Sequence, residues 1–339
     1  MKRLAVALLK LVLSVALVAW LFARAARDDA FGDLARQYRD PGFQWAALVG
    51  AFVCIFVAVL LTLWRWYLLV RALGIPLSIR EALRLGFLGY LFNLAPMGIV
   101  GGDLLKAVLL ARRCPGRRAQ AVATVAVDRV LGLWVLFVVA AVAAVVFGFL
   151  QHPNATVRTV AWCTVAATLA GTAVMAVMFV PGATKGRFTG WLGRLPLVGR
   201  QTQHLLDAVR LYRHNWPLLA VATLQSVCVH VLFTVGMYWL TLGIYPASSQ
   251  QMTLSGQFVV ALLSAATGVI PLMMGPMEAV LNLLYRLVFD FDEGRGFVVA
   301  LAYRLVTLAI ALVGVCYYVG ARQELAEAMH EPPRDDDAA

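Results

Sequence analysis

Six apolar segments, each long enough to cross a lipid bilayer as a helix, most constrain how this chain can fold. They lie at about 4–24, 45–70, 119–150, 158–180, 216–243 and 296–320. About 20 helical residues cross the hydrocarbon core of a bilayer. Because unpaired backbone groups are costly in lipid and the sequence has no alternating strand pattern, the spans are expected to be helices. The sequence therefore predicts an all-α integral membrane protein, a polytopic helical bundle.

The composition agrees with lipid as the main solvent. Hydrophobic residues make up 62% of the 339 residues and charged residues only 14%, which is far more apolar than a typical soluble domain. The formal net charge is +11, but the basic residues fall in short loops between apolar segments, so membrane topology explains them better than a nucleic-acid partner. The five cysteines have no spacing that suits zinc, and the sequence contains no nucleotide-binding loop or nucleophile elbow. We expect no metal, no cofactor and no enzymatic activity.

The N-terminus leaves two alternatives open. A positive start, an apolar stretch and Ala23-Arg24-Ala25 are compatible with a cleaved signal peptide. The apolar run from Leu4 to Ala23 is nevertheless long enough to span the membrane, provided that Lys10 snorkels or faces other helices. Its length favours an uncleaved helix.

Two further apolar stretches are interrupted by proline and glycine. Leu83–Ala111 contains Pro96, Gly98, Gly101 and Gly102, with Asn93 just before them, and Leu254–Phe289 contains Gly268, Pro271, Gly275 and Pro276. Proline lacks the backbone donor that a helix needs, and glycine weakens a helix. Each stretch is therefore predicted to be two helical pieces that meet at a non-helical break.

Lysine and arginine are spread unevenly over the connecting segments. They are concentrated at Lys2 and Arg3, at Arg71, Arg80 and Arg84, at Arg112, Arg113, Arg117 and Arg118, and in Lys185–Arg213. The connections His152–Thr156, Tyr245–Met252 and Asp28–Asp40 are nearly uncharged or contain matched acids. The positive-inside rule places the first set, with both termini, in the cytoplasm. The first broken stretch must then enter from and return to the cytoplasm, and the second must do so from the outside of the inner (cytoplasmic) membrane.

A constant offset of 175 residues relates polar residues in two parts of the chain. The related pairs are Pro96 and Pro271 (271 − 96), Asp103 and Glu278, Arg129 and Arg304, and Trp64 and Trp239. Polar residues are scarce in this sequence, so several such pairs do not readily arise by chance. Inverted repeats of this kind are typical of membrane transporters. The spacing predicts repeat halves at about 41–150 and 216–325, each containing a broken re-entrant helical hairpin.

Asp103 and Lys106 follow the glycines of the first break. Asp103 can cap a half-helix, or the free amides of that helix start can face a lipid phosphate or carboxylate near mid-membrane; both interpretations are open. Lys106, three residues further on, can pair with Asp103 or meet a headgroup. A lysine within an apolar segment needs a partner or water, which favours a functional role.

Glu278 has the equivalent place after the second break. Pro276 is suited to the first turn of the helix that contains Glu278. Because an isolated carboxylate would be costly in lipid, we predict an ion pair with Arg304, and Arg286 is the alternative partner.

Charges of both signs at repeat-related positions are typical of a polar cavity. We predict that Arg129 pairs with Asp103, while Asp128, which points in another direction on the same helix, finds a different partner. The residues expected to bind lipid headgroups or line the cavity are Lys106, Arg129, Asp103, Asp128, Glu278 and Arg304. The alternative is that these pairs only lock helices together.

Two other kinds of residue receive structural interpretations. His230 lies alone on an apolar span, where a hydrogen-bonded histidine is more common than a ligand. Aromatic residues near the ends of spans are interpreted as interface anchors, namely Trp64, Trp66, Trp216 and Tyr317.

Four runs of residues, taken together, resemble the signatures of one membrane-protein family. They are Arg65…Leu73-Gly74-Ile75-Pro76-Leu77-Ser78…Glu81-Ala82, then Asn93…Pro96…Gly101-Gly102-Asp103…Lys106, then Ala121…Asp128-Arg129…Gly132, and Ile270-Pro271…Gly275…Glu278-Ala279 with Arg304. This pattern covers nearly the whole chain and resembles the lysylphosphatidylglycerol synthetase transmembrane (flippase-domain) family. The resemblance implies a lipid flippase for aminoacylated phospholipids or for other lipid- or polyprenyl-linked substrates.

The sequence departs from that family pattern in two places. The second break usually reads Pro-Gly-Gly-x-Gly before the glutamate, but here it is Met274-Gly275-Pro276-Met277. Lys106 replaces the more usual arginine, which weakens bidentate recognition of phosphate. No aminoacyltransferase sequence follows the last span, so we expect a stand-alone member whose lipid, if it is modified, is made by another protein.

The expected function is translocation of a phospholipid or related lipid-linked headgroup through a polar groove between the two hairpins. The alternative is a non-transporting subunit or scaffold of a lipid-modifying or glycosyl-transferring enzyme. Membrane lipids are the expected partners, and a separate lipid-modifying enzyme and a second copy of the chain are left open. Residues 1–325 are predicted to form the transmembrane domain, and residues 326–339 a disordered acidic tail.

Overall fold

The computed structural model describes residues 2–27, 29–38, 44–93, 99–114, 116–179, 212, 215–246, 250–270 and 274–330. The regular structure within these residues is helical. The helices are α1 (Lys2–Arg27), α2 (Ala30–Tyr38), α3 (Trp45–Ala72), α4 (Ile79–Asn93), α5 (Ile99–Arg113), α6 (Arg118–Val146), α7 (Ala155–Phe179), α8 (Trp216–Ile244), α9 (Leu254–Ala266), α10 (Pro276–Phe289) and α11 (Arg295–His330). Short 3₁₀ turns lie at Phe149–Gln151 and Thr267–Val269.

Five of these helices are long and apolar enough to cross a membrane. They are α3, α6, α7, α8 and α11, and they correspond to five of the six predicted spans. The first predicted span forms helix α1, which has 26 residues. The all-helical fold and the multi-pass membrane class are therefore confirmed.

Each predicted broken stretch forms two short helices. We call α4 and α5 the first pair and α9 and α10 the second pair; their four helices have 15, 15, 13 and 14 residues. A long helix precedes and follows each pair, so α3–α6 and α8–α11, called here the first half and the second half, have the same order of elements. Each pair also packs against the opposite half: α4 contacts α11, and α9 contacts α6.

Both outer ends of the first pair lie beside the end of α3 and the start of α6. Arg113, at the end of α5, forms an ion pair with Glu81 at the start of α4 (Nη1 to Oε1, 2.9 Å). Hydrogen bonds from the Ser78 backbone N–H and hydroxyl hold the pKa of Glu81 below its ordinary value, and Arg113 acts in the same direction. Arg117, just before α6, donates a hydrogen bond to the Gly74 carbonyl after α3 (3.1 Å). These contacts place four helix ends together at one end of the bundle.

Both outer ends of the second pair lie near the other end of α6. Phe258, near the start of α9, packs against Phe147, which directly follows α6 (ring centroids 6.3 Å apart). Phe289, the last residue of α10, lies directly against Gly256 near the start of α9, and Phe291 packs edge-on against Tyr245 just after α8 (6.2 Å). Helix α6 has 29 residues, and at about 1.5 Å per residue its two ends are far apart. The outer ends of the two pairs therefore lie at opposite ends of α6.

The first break differs from its prediction. Gly101 and Gly102 lie inside α5 rather than in a non-helical break, because α5 begins at Ile99. Asp103 is consequently the fifth residue of α5 and does not cap it. A Cβ atom at Gly102 would collide with the Gly89 carbonyl oxygen of α4, so this glycine serves close packing of the first pair.

The second break matches its prediction more closely. Gly275 precedes α10 with φ +110°, a conformation that residues with a side chain rarely adopt. Pro276 is the first residue of α10, and Glu278 lies in the first turn. Pro96 and Pro271, the two predicted break prolines, lie outside the described residues.

The disordered tail predicted for residues 326–339 overlaps the last turn of α11, and its disorder stays a prediction. Helix α11 continues to His330, because the segment before it is rich in strong helix formers such as Glu324, Leu325 and Ala326. Residues 331–339 lie outside the described residues.

Candidate functional site

Asp103 and Arg129 form the first of the two ion pairs that the 175-residue offset relates. Asp103 lies on α5, and Arg129 lies on the neighbouring α6. The Arg129 Nη2 atom donates a hydrogen bond to Asp103 Oδ1 (2.7 Å), and its Nε atom contacts the other carboxylate oxygen. The predicted pair is confirmed. Two nitrogens of the planar Arg129 guanidinium thus contact the two oxygens of the Asp103 carboxylate, which is the paired geometry that arginine favours.

Lys106 is the second cation on the Asp103 carboxylate. Its Nζ atom lies 3.2 Å from Asp103 Oδ1 and 5.2 Å from the centre of the Trp66 ring. Trp66 is fully buried, so its interpretation as an interface anchor is wrong: the indole stacks under a buried cation and donates to Thr124 (3.3 Å). Lys106 is itself only 5% exposed, and a carboxylate and an aromatic face together hold its charge.

Glu278 and Arg304 form the second ion pair. The Arg304 Nε atom donates to Glu278 Oε1 (2.6 Å), which confirms the prediction and excludes Arg286 as the partner. Arg286 pairs with Glu293 instead (2.9 Å). The other oxygen of Glu278 accepts the backbone N–H of Gly275 (2.7 Å). Glu278 therefore both neutralises Arg304 and satisfies the backbone at the start of α10.

Asp128 has a partner that the sequence analysis did not assign. The Arg65 Nε atom on α3 donates to Asp128 Oδ1 (2.8 Å), and its Nη2 atom donates to the Asp128 carbonyl (3.2 Å). The Nη1 atom of the same guanidinium donates to the Ser226 hydroxyl on α8 (2.7 Å). All three residues are buried. This network joins α3, α6 and α8 and fixes the rotation of α6, the helix that also bears Arg129.

Asn93 joins the two helices of the first pair near the site. As the last residue of α4, it accepts the backbone N–H of Gly102 at its side-chain oxygen (3.0 Å). This bond satisfies one of the donors in the first turn of α5. Asn93 thus holds the two helices of the first pair together where they meet.

Arg129 and Arg304 line the same cavity, although they belong to different halves of the chain. The cavity has a volume of about 360 Å³. Its polar lining consists of Thr62, Tyr90, Asn93, Arg129, His230, Thr267, Tyr303, Arg304 and Thr307, and its apolar lining includes Ile55, Val59, Leu136, Phe233, Met274 and Met277. The structure therefore brings Arg129 and Arg304, which lie 175 residues apart in the sequence, to one mixed polar and apolar space, bounded by helices of both halves.

The ion pairs around this cavity are not balanced in charge. The set contains four cations and three carboxylates. The cations are Arg65, Lys106, Arg129 and Arg304, and the carboxylates paired with them are Asp103, Asp128 and Glu278. With every group ionised, this set has one positive charge in excess. An anion fits such a site better than a cation, because it would complete the charge balance.

Not every predicted site residue reaches the cavity. Arg129, Arg304, Asn93 and Pro276 line it, but Lys106 is buried and is not among the described residues that line it. His230 accepts or donates a hydrogen bond with the Gly132 carbonyl (3.0 Å), which confirms its predicted structural interpretation.

Three residues of the site, Arg65, Tyr90 and Tyr303, are not among its predicted residues. An arginine inside an apolar span is itself a signal, because it needs a buried partner. Tyr90 and Tyr303 had no comparable signal, since tyrosine is common in membrane helices.

The fold and the cavity define this chain as a multi-pass helical membrane protein with two similarly ordered halves and a charged interior site between them. Residues 7–314 match the family model described as lysylphosphatidylglycerol synthase TM region. The chain therefore belongs to that family, which agrees with the resemblance of its motifs. Searches of curated proteins and of solved structures give no match to this chain.

Proposed function

We propose that this protein is a lipid translocator that moves the headgroup of a phospholipid or related lipid across the cytoplasmic membrane. The observation that carries the proposal is the shared cavity, which Arg129 and Arg304 enter from the two halves. A charged headgroup cannot cross hydrocarbon cheaply. A polar space with two guanidinium groups and one excess positive charge would stabilise its phosphate, since arginine binds phosphate through two parallel hydrogen bonds.

We also infer that the two pairs are re-entrant hairpins, inserted from opposite membrane faces in an inverted repeat. A helix of 15 residues rises about 22 Å, which is shorter than a hydrocarbon core of about 30 Å. The outer ends of the first pair meet at the Arg113–Glu81 ion pair beside the start of α6, and those of the second pair lie near its other end. Opposed hairpins that meet near the midplane are a recurring way to place a substrate site in a transporter.

The apolar part of the cavity lining suits the rest of a lipid. Ile55, Val59 and Phe233 lie on the same cavity as the arginines. A headgroup could thus occupy the polar part while the adjoining glycerol and acyl chains stay among apolar side chains. Family membership supports a lipid-related role for the membrane domain.

Translocation of headgroup-labelled lipids in proteoliposomes tests the proposal. The assay compares wild type with Arg129→Gln, Arg304→Gln and the control Arg158→Gln. Glutamine keeps hydrogen-bond donors but removes the charge. We expect the two cavity variants to lose most of the wild-type rate, by about tenfold or more, because one charge-assisted hydrogen bond is lost.

The control variant removes an arginine of another kind. Arg158 donates to the His152 carbonyl (3.1 Å) in an exposed position on α7, so Arg158→Gln should translocate at the wild-type rate. Equal rates for all four proteins and for protein-free vesicles would contradict translocation. That outcome would favour a non-transporting subunit of a lipid-modifying or glycosyl-transferring enzyme.

A further inference from the structure

The two arginines of the cavity are held in different ways. Arg129 shares its carboxylate, Asp103, with Lys106. Arg304 has Glu278, whose second oxygen is occupied by a backbone N–H rather than by a second cation. The side chain of Arg129 is 46% exposed, whereas that of Arg304 is 27% exposed.

This difference decides which arginine can turn towards a bound anion. An arginine that moves onto a phosphate gives up hydrogen bonds to its carboxylate, and an unpaired carboxylate in a membrane interior is costly. When Arg129 moves, Lys106 remains within ion-pair distance of Asp103. The position equivalent to Lys106 in the second half is Leu281 (106 + 175), a fully buried apolar residue. Among the described residues, Arg304 is the only cation within ion-pair distance of Glu278, so Glu278 would lose this partner if Arg304 moved.

We propose that Lys106 is a positioning residue, which keeps Asp103 neutralised while Arg129 exchanges from that carboxylate to the phosphate of an anionic lipid headgroup. Arg304 stays on Glu278 and supplies a fixed positive charge. The inference rests on the proposed function and assigns its substrate class as lipids with a net anionic headgroup. Lys106 does not touch the headgroup, because it is buried between Asp103 and the face of Trp66.

Lipid binding by the purified protein in detergent tests this assignment. The probes are phosphatidylglycerol, which is anionic, and phosphatidylcholine, which is zwitterionic. The affinity for each lipid is measured with four proteins: wild type, Lys106→Met, Lys106→Arg and the double variant Lys106→Met/Asp103→Asn. For Lys106→Met we expect phosphatidylglycerol to bind about tenfold more weakly, the scale of one charge-assisted hydrogen bond. Phosphatidylcholine, whose quaternary ammonium group compensates its own phosphate, should not draw Arg129 from Asp103 and should bind equally weakly to wild type and to Lys106→Met.

The other two variants separate positioning from a merely structural role. Lys106→Arg keeps the charge and should bind phosphatidylglycerol as wild type does. The double variant should recover wild-type affinity, because a neutral amide at position 103 no longer holds Arg129 away from the phosphate. If Lys106 instead touched the headgroup, the double variant would remain as weak as Lys106→Met, and the proposal would be overturned.

Each remaining outcome also decides the question. Unchanged phosphatidylglycerol affinity in Lys106→Met overturns the role of Lys106 and leaves the proposed translocation intact. Equal affinity of the wild type for both lipids contradicts the anionic headgroup site, and with it this inference. If Lys106→Met does not fold, the double variant, which removes one charge of each sign, carries the test: reduced affinity for phosphatidylglycerol would overturn the proposal.

Discussion

At the scale of single residues, one rule predicted more of the site than any motif: a buried charge needs a partner of opposite charge. It predicted both repeat-related ion pairs, because the same spacing of acid and arginine occurs twice. It did not identify Arg65 as the partner of Asp128. The position equivalent to Arg65 is Leu240 (65 + 175), so the repeat offers no second example, and a contact across 63 residues leaves no local pattern.

The Arg65–Asp128 pair permits a stability prediction. Arg65→Met leaves the Asp128 carboxylate buried without its cation, and we expect a loss of about 3–5 kcal/mol in the free energy of unfolding. Arg65→Met/Asp128→Asn removes both charges and should lose clearly less than the two single variants added together. Denaturant unfolding of the purified protein in detergent micelles, followed by tryptophan fluorescence, measures these differences.

A lipid-facing position supplies the matched control for this cycle. Leu169 on α7 is 66% exposed, so Leu169→Met should leave the unfolding free energy nearly unchanged. Strict additivity of Arg65→Met and Asp128→Asn would show that the two side chains do not interact energetically, contrary to their geometry.

At the scale of helices, the existence of elements was easier to predict than their ends. Apolar length predicted α3, α6, α7, α8 and α11, since roughly 20 apolar residues need lipid or a large core around them. Helix α5 begins earlier than its glycines predict, because Gly101 and Gly102 lie inside the helix. Gly102 is instead required by the close approach of Gly89, a tertiary contact that sequence spacing does not reveal.

Opposed hairpins make a labelling prediction for two exposed positions. Arg80 lies at the start of the first pair, and Gln251 lies just before the second pair; both are exposed. In a background without the natural cysteines, Arg80→Cys should react with an impermeant thiol reagent only from the cytoplasmic side. Gln251→Cys should react only from the opposite side, since the positive-inside rule places the basic end of the bundle in the cytoplasm.

Sealed right-side-out and inside-out vesicles provide the two sides for this measurement. Arg158→Cys, in the connection predicted to face outward, serves as the sidedness control. Reaction of the Arg80 and Gln251 variants from the same side would refute the inverted arrangement of the two pairs.

At the scale of the whole molecule, each pair packs on the half to which it does not belong. Helix α4 contacts α11, and α9 contacts α6, with the arginine cavity among these helices. The 175-residue offset predicts two halves but not this exchange, because packing between distant segments depends on side-chain shape over the whole bundle. A movement that opens the cavity between α4 and α11, or between α9 and α6, would separate one pair from the opposite half.

Cross-linking the α4–α11 contact tests whether this separation is part of transport. Phe92 and Tyr318 face each other across it (ring centroids 6.3 Å apart), so cysteines at both positions can be joined by a short bifunctional thiol reagent in a background without the natural cysteines. Phe52 and Phe56 stack within α3 (6.0 Å), and the same treatment there removes an aromatic pair without joining two helices.

We expect the Phe92–Tyr318 cross-link to reduce headgroup translocation to the rate of protein-free vesicles, because the first pair can no longer leave the opposite half. Phosphatidylglycerol binding should persist in the cross-linked protein, and the Phe52–Phe56 cross-link should change neither rate nor binding. Continued translocation after complete cross-linking at Phe92 and Tyr318 would mean that the headgroup moves through a groove that stays open to lipid, without separation of α4 from α11.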